Sequence, residues 1–413
     1  MVRSPARQPN TFLTELFVMT DQIVITGIGI VSPLGSDVDT AVRATAERKT
    51  GLAETDRFGP ERRLGAVQGF DVADYLNPKK ARRMDPINCY TIAAGSQALA
   101  NAELPSDLRR DCGLLVGTGF SGLNSVVEHQ KKFLRDGIKT LSPAHFPTTV
   151  YNASAGLAAI ELGVAGPNST VTGVDVSGEY ALLYASMMLR QGLAERILVV
   201  GADELSPALV EAFHDLGLAG DKDSYPFARR RSGFALGEGA AALLLETERA
   251  ALERGAKILG TIEGIGLRSS AKDAFRHDSD GAVAAIDQAL TRAGCELADM
   301  DWVSSPANGG KNLDRSDAEV WRQALGDSSA RVSAIKAYTG EFAASGVLRL
   351  ALGIACAQRG VVPAMNEGVD YDEGIASLLN YSTARERVSR FLHHGSGVGG
   401  SHVSVVVGCD CAA

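Results

Sequence analysis

The chain has 413 residues, a formal net charge of −8, 45% hydrophobic residues and 45 glycines. That length holds a large buried core in more than one domain-sized unit, and with 22% charged residues the composition excludes the disordered and fibrous classes. The longest uninterrupted basic block is Arg229-Arg230-Arg231, so no nucleic-acid surface is expected, and no apolar run reaches the ~20 residues that span a bilayer.

Residues 1–20 read as a flexible extension, because the apolar piece from Phe12 to Met19 is broken by Glu15 and makes a poor signal peptide. Residues 22–30 form a buried-strand pattern closed by Ser32-Pro33-Leu34-Gly35, and Ser36-Asp37 caps a helix over 38–48. A Gly/Pro-interrupted polar region runs to Asp85. A helix over 92–101 and a strand over 112–117 follow. That strand ends in Gly117-Thr118-Gly119-Phe120-Ser121-Gly122, which matches the dinucleotide fingerprint letter for letter. The fingerprint requires the first βαβ unit of its domain and an acidic residue ~20 positions on. Here it lies mid-chain and Asp136 comes too early, so we read a tight strand-to-helix turn rather than a phosphate cradle. The helix over 123–134 places Leu123, Val126, Val127, Gln130, Phe133 and Leu134 on one face, which by spacing alone is a core stripe.

A β-branched run, Ser169 to Thr172, then turns through Gly173-Val174-Asp175-Val176-Ser177-Gly178 into an apolar helix over 181–190. Such a turn presents Asp175 at a helix N-terminus, where N–H groups and the dipole favour an anion. Strands are expected over 196–201 and 241–245, and a charged helix over 247–254. A strand over 258–267 opens a second half with the same grammar. It continues with a helix over 282–293, a strand over 302–304, a helix over 314–325 and a strand over 332–335. The turn Thr339-Gly340-Glu341 leads into an apolar helix over 343–356, and a strand over 403–407 closes the chain. Two similar α/β halves, 21–255 and 256–408, with a tail over 409–413, are the expected organisation. The cysteines at 89, 112, 295, 356, 409 and 411 are scattered, mostly in apolar runs; they suit buried small hydrophobes in a reducing cytoplasm. Cys409-x-Cys411 reads as part of a frayed tail rather than a metal pair.

Several of these segments resemble the β-ketoacyl synthases, or condensing enzymes. They are residues 23–35, Gly166-Pro167-Asn168 with its strand–turn–helix, Pro226-Phe227 with Gly233-Phe234, and Gly237-Glu238-Gly239-Ala240. Gly360-Val361-Val362-Pro363 and Gly397-Val398-Gly399-Gly400-Ser401 complete the set, and the match runs in order from about residue 22 to 408. The resemblance implies an α/β, thiolase-like five-layered α-β-α-β-α fold from two related halves, acting as a dimer. The family reaction is decarboxylative Claisen condensation on thioesters carried by the phosphopantetheine of an acyl carrier protein, with no other cofactor and no metal.

Carried over residue by residue, the family's nucleophilic cysteine falls on Asp175, its first histidine on Pro306 and its second on Glu341, while Lys336 matches the family lysine. None of the seven histidines stands at either place. An acylated Asp175 would be a mixed anhydride open to water, Pro306 has no donor, and an ionised Glu341 would repel a malonyl carboxylate and its enolate. The chain therefore looks like a chain-length factor, the cysteine-less subunit that pairs with an active ketosynthase in type II polyketide synthases and shapes the tunnel at the shared interface. Aspartate departs from the glutamine common at this position. The family's tunnel-gating positions map to Leu123, Val126 and Gln130, none of them aromatic, so either a tunnel wall or the core stripe fits that face. The rival reading is a repurposed enzyme in which Asp175 and Glu341 form an acid/base pair for dehydration, hydrolysis or decarboxylation. Against it stands a structural arrangement with Lys336 neutralising one carboxylate and the helix N-terminus satisfying the other.

Overall fold

The computed structural model describes residues 21–58, 62–220, 225–270, 278–326, 328–385 and 387–409. The expected extension over 1–20 and Cys411 lie outside the described residues. The strands are β1 (Ile23–Val31), β2 (Ala53–Glu54), β3 (Arg63–Leu64), β4 (Gly113–Gly117), β5 (Asn168–Val171) and β6 (Arg196–Asp203). They continue with β7 (Gly239–Thr247), β8 (Gly260–Ser269), β9 (Trp302–Ser304), β10 (Arg331–Ser333), β11 (Arg390–Gly397) and β12 (Ser401–Gly408). The helices longer than one turn are α1 (Val38–Ala46), α2 (Pro86–Asn101), α3 (Leu123–Asp136), α4 (Ala153–Leu162) and α5 (Ser177–Arg190). After them come α6 (Pro207–Asp215), α7 (Glu248–Glu253), α8 (Ser279–Ala293), α9 (Lys311–Leu325) and α10 (Ser345–Ala357).

Apart from the β2–β3 ribbon, the strands run in the order β10-β9-β11-β12-β8-β1-β7-β6-β4-β5. Split at the β8–β1 junction, each side has the same plan. The first strand of a half (β1 or β8) pairs antiparallel with its last (β7 or β12), and the three others pair in parallel beyond it. The two sides meet where residues 23–25 pair with residues 260–262. This is the repeat expected from the sequence, now visible as topology.

The repeat extends to the packing. Gly27 and Gly29 of β1 lie so close to α2 that an added Cβ would sit 2.2 Å from the Ala98 carbonyl oxygen and 1.9 Å from that of Ala94. In β8, Gly264 and Gly266 meet the Ala289 and Ala285 carbonyls of α8 at 2.1 and 1.9 Å. In both halves a Gly-x-Gly strand lets an Ala-rich outer helix approach to backbone contact. Helices α5 and α10 fill the layer between the sheets, and every residue of α10 is buried. Outer helix, sheet, α5/α10, sheet, outer helix make the five layers.

Several boundaries differ from the sequence reading. Helix α2 starts six residues earlier, at Pro86, because proline suits a first helical turn and Asp85 precedes it. Helices α4 and α6 and strand β11 had no clear signal. In β11, Gly395, Gly397 and the pair His393-His394 dilute the apolar run, yet residues 391–397 are buried. Cys409 corrects the frayed-tail reading: it is 6% exposed and its N–H donates to the Ser389 carbonyl. The core-stripe reading of α3 is also overturned. None of its residues is buried, Val126 is 42% and Leu134 73% exposed, and Gln130 is exposed. The stripe is not part of the protein's own core, and Val126, Phe133 and Leu134 on it remain exposed.

Candidate functional site

Between β5 and α5 the chain makes a single 3₁₀ turn, Val174–Val176. Val174 adopts φ +50°, a left-handed conformation that costs a β-branched residue strain. Ser177 holds the turn: its hydroxyl donates to the Val174 carbonyl at 2.7 Å and accepts from the Gly173 N–H at 3.0 Å. The turn thrusts Asp175 toward the end of β11, where its Oδ2 accepts the Val398 N–H at 3.0 Å. The sequence reading gave this carboxylate to the N-terminus of α5; its hydrogen bond comes instead from the Gly397–Gly400 turn, on the other half of the protein. The side chain keeps a partly accessible edge, but its carboxyl is set among protein atoms. Burial and then the charge of Glu341 push its pKa up to about 6, with the Val398 N–H and Lys336 pulling the other way.

Glu341 follows a short helical turn, Lys336–Thr339, and Gly340 at φ +73°. Its backbone is fixed between Ala235 and Gly237, to which it is bonded at 2.7 and 2.8 Å. Its Oε2 accepts from Lys336 Nζ and from Asn308 Nδ2, both at 2.6 Å, and Ser345 Oγ stands 3.4 Å from Oε1. Lys336 and Glu341 are both almost out of solvent. A buried pair of this kind is held by mutual charge and by the extra donor, which together offset desolvation.

Pro306 lies in the buried loop between β9 and α9. Two buried aspartates shape that loop. Asp314 Oδ1 accepts the Asn308 and Gly309 N–H groups at 3.0 and 3.1 Å, and Asp317 Oδ2 accepts the Ser305 hydroxyl. Pro306 brings no donor toward the pocket; Asn308, two residues on, supplies the amide that reaches Glu341. Sequence reasoning passed over Asn308 as a motif letter.

It also passed over the group behind the site. Glu179 lies one turn along α5 from Asp175, and its Oε1 is 3.0 Å from both Arg349 of α10 and His393 of β11. Arg349 donates further to the Ser305 and His394 carbonyls at 3.0 and 2.9 Å. All three side chains are buried. Burial and the nearby Arg349 charge lower the His393 pKa to about 4, so His393 is a neutral imidazole whose Nε2–H donates to Glu179. Burial alone would raise the Glu179 pKa; the His393 hydrogen bond and Arg349 outweigh it and hold the carboxylate ionised. The cluster ties Asp175's helix to the Pro306 loop and β11.

The Gly117–Gly122 turn is no phosphate cradle, as read from the sequence. Thr118 Oγ1 and the Gly119 and Phe120 N–H groups converge on Asp203 Oδ1 at 2.8–2.9 Å, so a buried carboxylate already occupies the donors. Leu123, Val126 and Gln130 stand on α3, partly or fully exposed. Around them Phe133, Ile138, Phe146, Val150 and Ile160 are exposed as well. Among the described residues no group of three or more His, Cys, Asp or Glu side chains is placed to hold a metal, and no helix is long and apolar enough to cross a membrane.

The structure thus joins Lys336, Glu341 and Asn308 in one buried cluster, with Asp175 near enough to feel the Glu341 and Lys336 charges and Pro306 buried in the loop that carries Asn308. At the three positions of the family cysteine and histidines stand a carboxylate, a proline and a second carboxylate, so no thiol or imidazole occupies them. The buried thiols of Cys89, Cys112 and Cys356 are pushed up to about 11, 12 and 12 by desolvation, which suits inert packing.

The N-terminal domain of β-ketoacyl synthases matches residues 20–251 and the C-terminal domain residues 259–368. A 3-oxoacyl-[acyl-carrier-protein] synthase 2 of Vibrio harveyi is 28% identical over 93% of this chain and 98% of its own length. One from Synechocystis sp. is 30% identical over 84% and 88%. The solved structure of the ishigamide ketosynthase/chain length factor superposes with a TM-score of 0.88 at 24% identity, covering 94% of this chain and 99% of that one. A ketosynthase in complex with its chain length factor from Xenorhabdus doucetiae gives 0.83 at 22%, covering 98% and 100%. With both domains matched in order and the strand topology repeated in each half, the chain belongs to the β-ketoacyl synthase family.

Proposed function

We propose that this chain is a non-condensing subunit of the chain-length-factor type, which pairs with an active ketosynthase and borders the tunnel in which that partner extends a chain delivered by an acyl carrier protein. The observation that carries the reading is the clamp on Glu341. Where a donor to a thioester oxygen would be needed, an anion is locked in place by Lys336 and Asn308. At the nucleophile position, Asp175 takes for itself the Val398 N–H that could otherwise meet an oxyanion formed at residue 175. The uncovered apolar face of α3 and the neighbouring 3₁₀ and α4 segments supports a partner subunit, and β5 stands at the free edge of the ten-stranded sheet. Two solved structures of the same fold are described as a ketosynthase with a chain length factor. On this reading Leu123, Val126 and Gln130 line the tunnel.

Co-expression with candidate synthases of the same organism tests it. Stable 1:1 copurification is expected, with activity lost when this chain is omitted and retained with Asp175→Ala. Failure to pair, or a pair whose activity disappears with Asp175→Ala, contradicts the reading.

One observation favours the acid/base alternative: the Asp175 pKa of about 6 lies in the range of a working general acid. The Lys336 and Asn308 contacts weigh against it, because they immobilise the second carboxylate as an ion pair.

A further inference from the structure

At the head of α2 two carboxylates have exchanged tasks. Asp85 stands at the capping position of that helix, yet its side chain makes no capping bond. Glu204, directly after β6, caps it instead: its Oε2 accepts the Ile87 N–H at 3.0 Å. Asp85 turns to α3, where its Oδ2 is 2.6 Å from Ser125 Oγ, which is itself 3.0 Å from Thr148 Oγ1. Asn124 of α3 donates to the carbonyl of Leu205, the residue after Glu204, at 3.2 Å. Both side-chain anchors of the first turn of α3 thus end at or beside this carboxylate pair. We propose that the pair is a proton-controlled latch: neutral Glu204 lets Asp85 hold the first turn of α3, and ionised Glu204 drives Asp85 away and releases it.

Glu204 is 1% exposed, and its Oε1 is removed from water with no hydrogen-bond partner. A buried anionic oxygen left in that state is costly, and a neutral acid tolerates it far better. The charges that act on Glu204 have its own sign: Asp85 at the head of α2 and Glu238 just before β7. Arg57 answers Glu238, at 3.1 Å, and not Glu204. Cys89 and Tyr90 of α2, which also feel Glu204, are kept protonated chiefly by burial. Asp85 further lines a cavity of about 420 Å³ with Glu128, His129, Lys131, Lys132, Arg135 and His145, a mostly basic surround to which a displaced carboxylate can turn. Burial and then the Asp85 charge push the Glu204 pKa up to about 8, against the Ile87 N–H and Asn124 and with Glu238 adding to the rise. The closed form holds this proton, so closure is favoured at low pH and that advantage is lost as pH rises through about 8. What gives way is α3. None of its residues is buried, and the elements it packs on most are the short 3₁₀ turns that follow it, Ile138–Thr140 and Pro143–Thr149. Loosening it uncovers little, whereas α2 is largely buried and stays. On the chain-length-factor reading the released helix is a tunnel wall, and that consequence rests on the reading; the latch is a property of the single chain.

The test is hydrogen exchange of the purified full chain, read by mass spectrometry from about pH 6 to about pH 9, with each variant compared with wild type at the same pH. Opening releases one proton, so the protection of residues 123–130 is expected to fall by up to about tenfold per pH unit and to level off near pH 8. At about pH 8.5, Glu204→Gln removes the charge and should keep these amides roughly tenfold better protected than in wild type. Asp85→Asn, which keeps an acceptor for Ser125, should do the same, and it decides if Glu204→Gln fails to fold. Ser125→Ala is expected to loosen the turn at every pH, and the amides of α10 should respond to none of these changes. Protection that does not vary with pH in wild type, or that falls equally in Glu204→Gln and Asp85→Asn, overturns the proposal. No partner enters the experiment, so its failure is separate from a failure to pair with a ketosynthase.

Discussion

Lys336→Met isolates the ion pair on which the reading of the pocket rests. The ammonium is 2.6 Å from Glu341 Oε2 and both side chains are nearly inaccessible, so deleting the cation leaves an uncompensated buried carboxylate. Such losses cost about 3–5 kcal/mol. Asn308 still donates to the same oxygen at 2.6 Å, which places the expected cost near the lower bound, about 3 kcal/mol. Lys336→Met/Glu341→Leu removes both charges, strands only the Asn308 amide at about 1–3 kcal/mol, and should be no less stable than Lys336→Met. Urea unfolding of wild type, both single variants and the double closes the cycle. If the double variant loses the full sum of the single losses, the two residues do not act as a pair and the clamp argument fails.

Three further outcomes follow from the same geometry. The Asp175 pKa is raised from 3.8 to about 6, so the folded chain holds a proton there that the unfolded chain releases. This contribution to stability is full below pH ~4, lost as pH rises through about 6, and amounts to no more than about 3 kcal/mol. Plotted against pH, the stability of wild type minus that of Asp175→Asn should fall between pH ~4 and ~6; parallel curves refute it. Asp175→Cys should not create a condensing enzyme, because burial and the Glu341 charge disfavour the thiolate and no imidazole stands at position 306 or 341. Slow alkylation of the new thiol and unchanged thioester turnover are expected, and a gain of condensation would show that Pro306 and Glu341 are no obstacle. Leu123→Phe or Val126→Phe in the assembled pair should shorten the product, read by mass spectrometry; unchanged length counts against α3 as a tunnel wall.

Much of the fold was legible because its strands are apolar runs and because in both halves a short strand turns through small residues into a buried, Ala-rich helix. β11 was not, since glycines and two histidines break its pattern while the second sheet still buries it. Asp175, Pro306, Glu341 and Lys336 came through the family resemblance, which left open which carboxylate Lys336 neutralises. Asn308 and Val398 reach their partners across 33 and 223 residues, and no local pattern encodes such contacts. One signal for the Glu179–Arg349–His393 cluster was present. Glu179 and Arg349 are opposite charges set in two otherwise apolar helices, a combination that burial forces to pair.

The central claim is that this pocket does no chemistry of its own. Incubating the isolated chain with an acyl-carrier-protein thioester and following the thioester by mass spectrometry tests it most directly. The account predicts no consumption above the uncatalysed rate, in wild type and Asp175→Ala alike, with turnover only when a thiol-bearing ketosynthase is added. Consumption by the chain alone, abolished by Asp175→Ala, would contradict it and make Asp175 a catalyst.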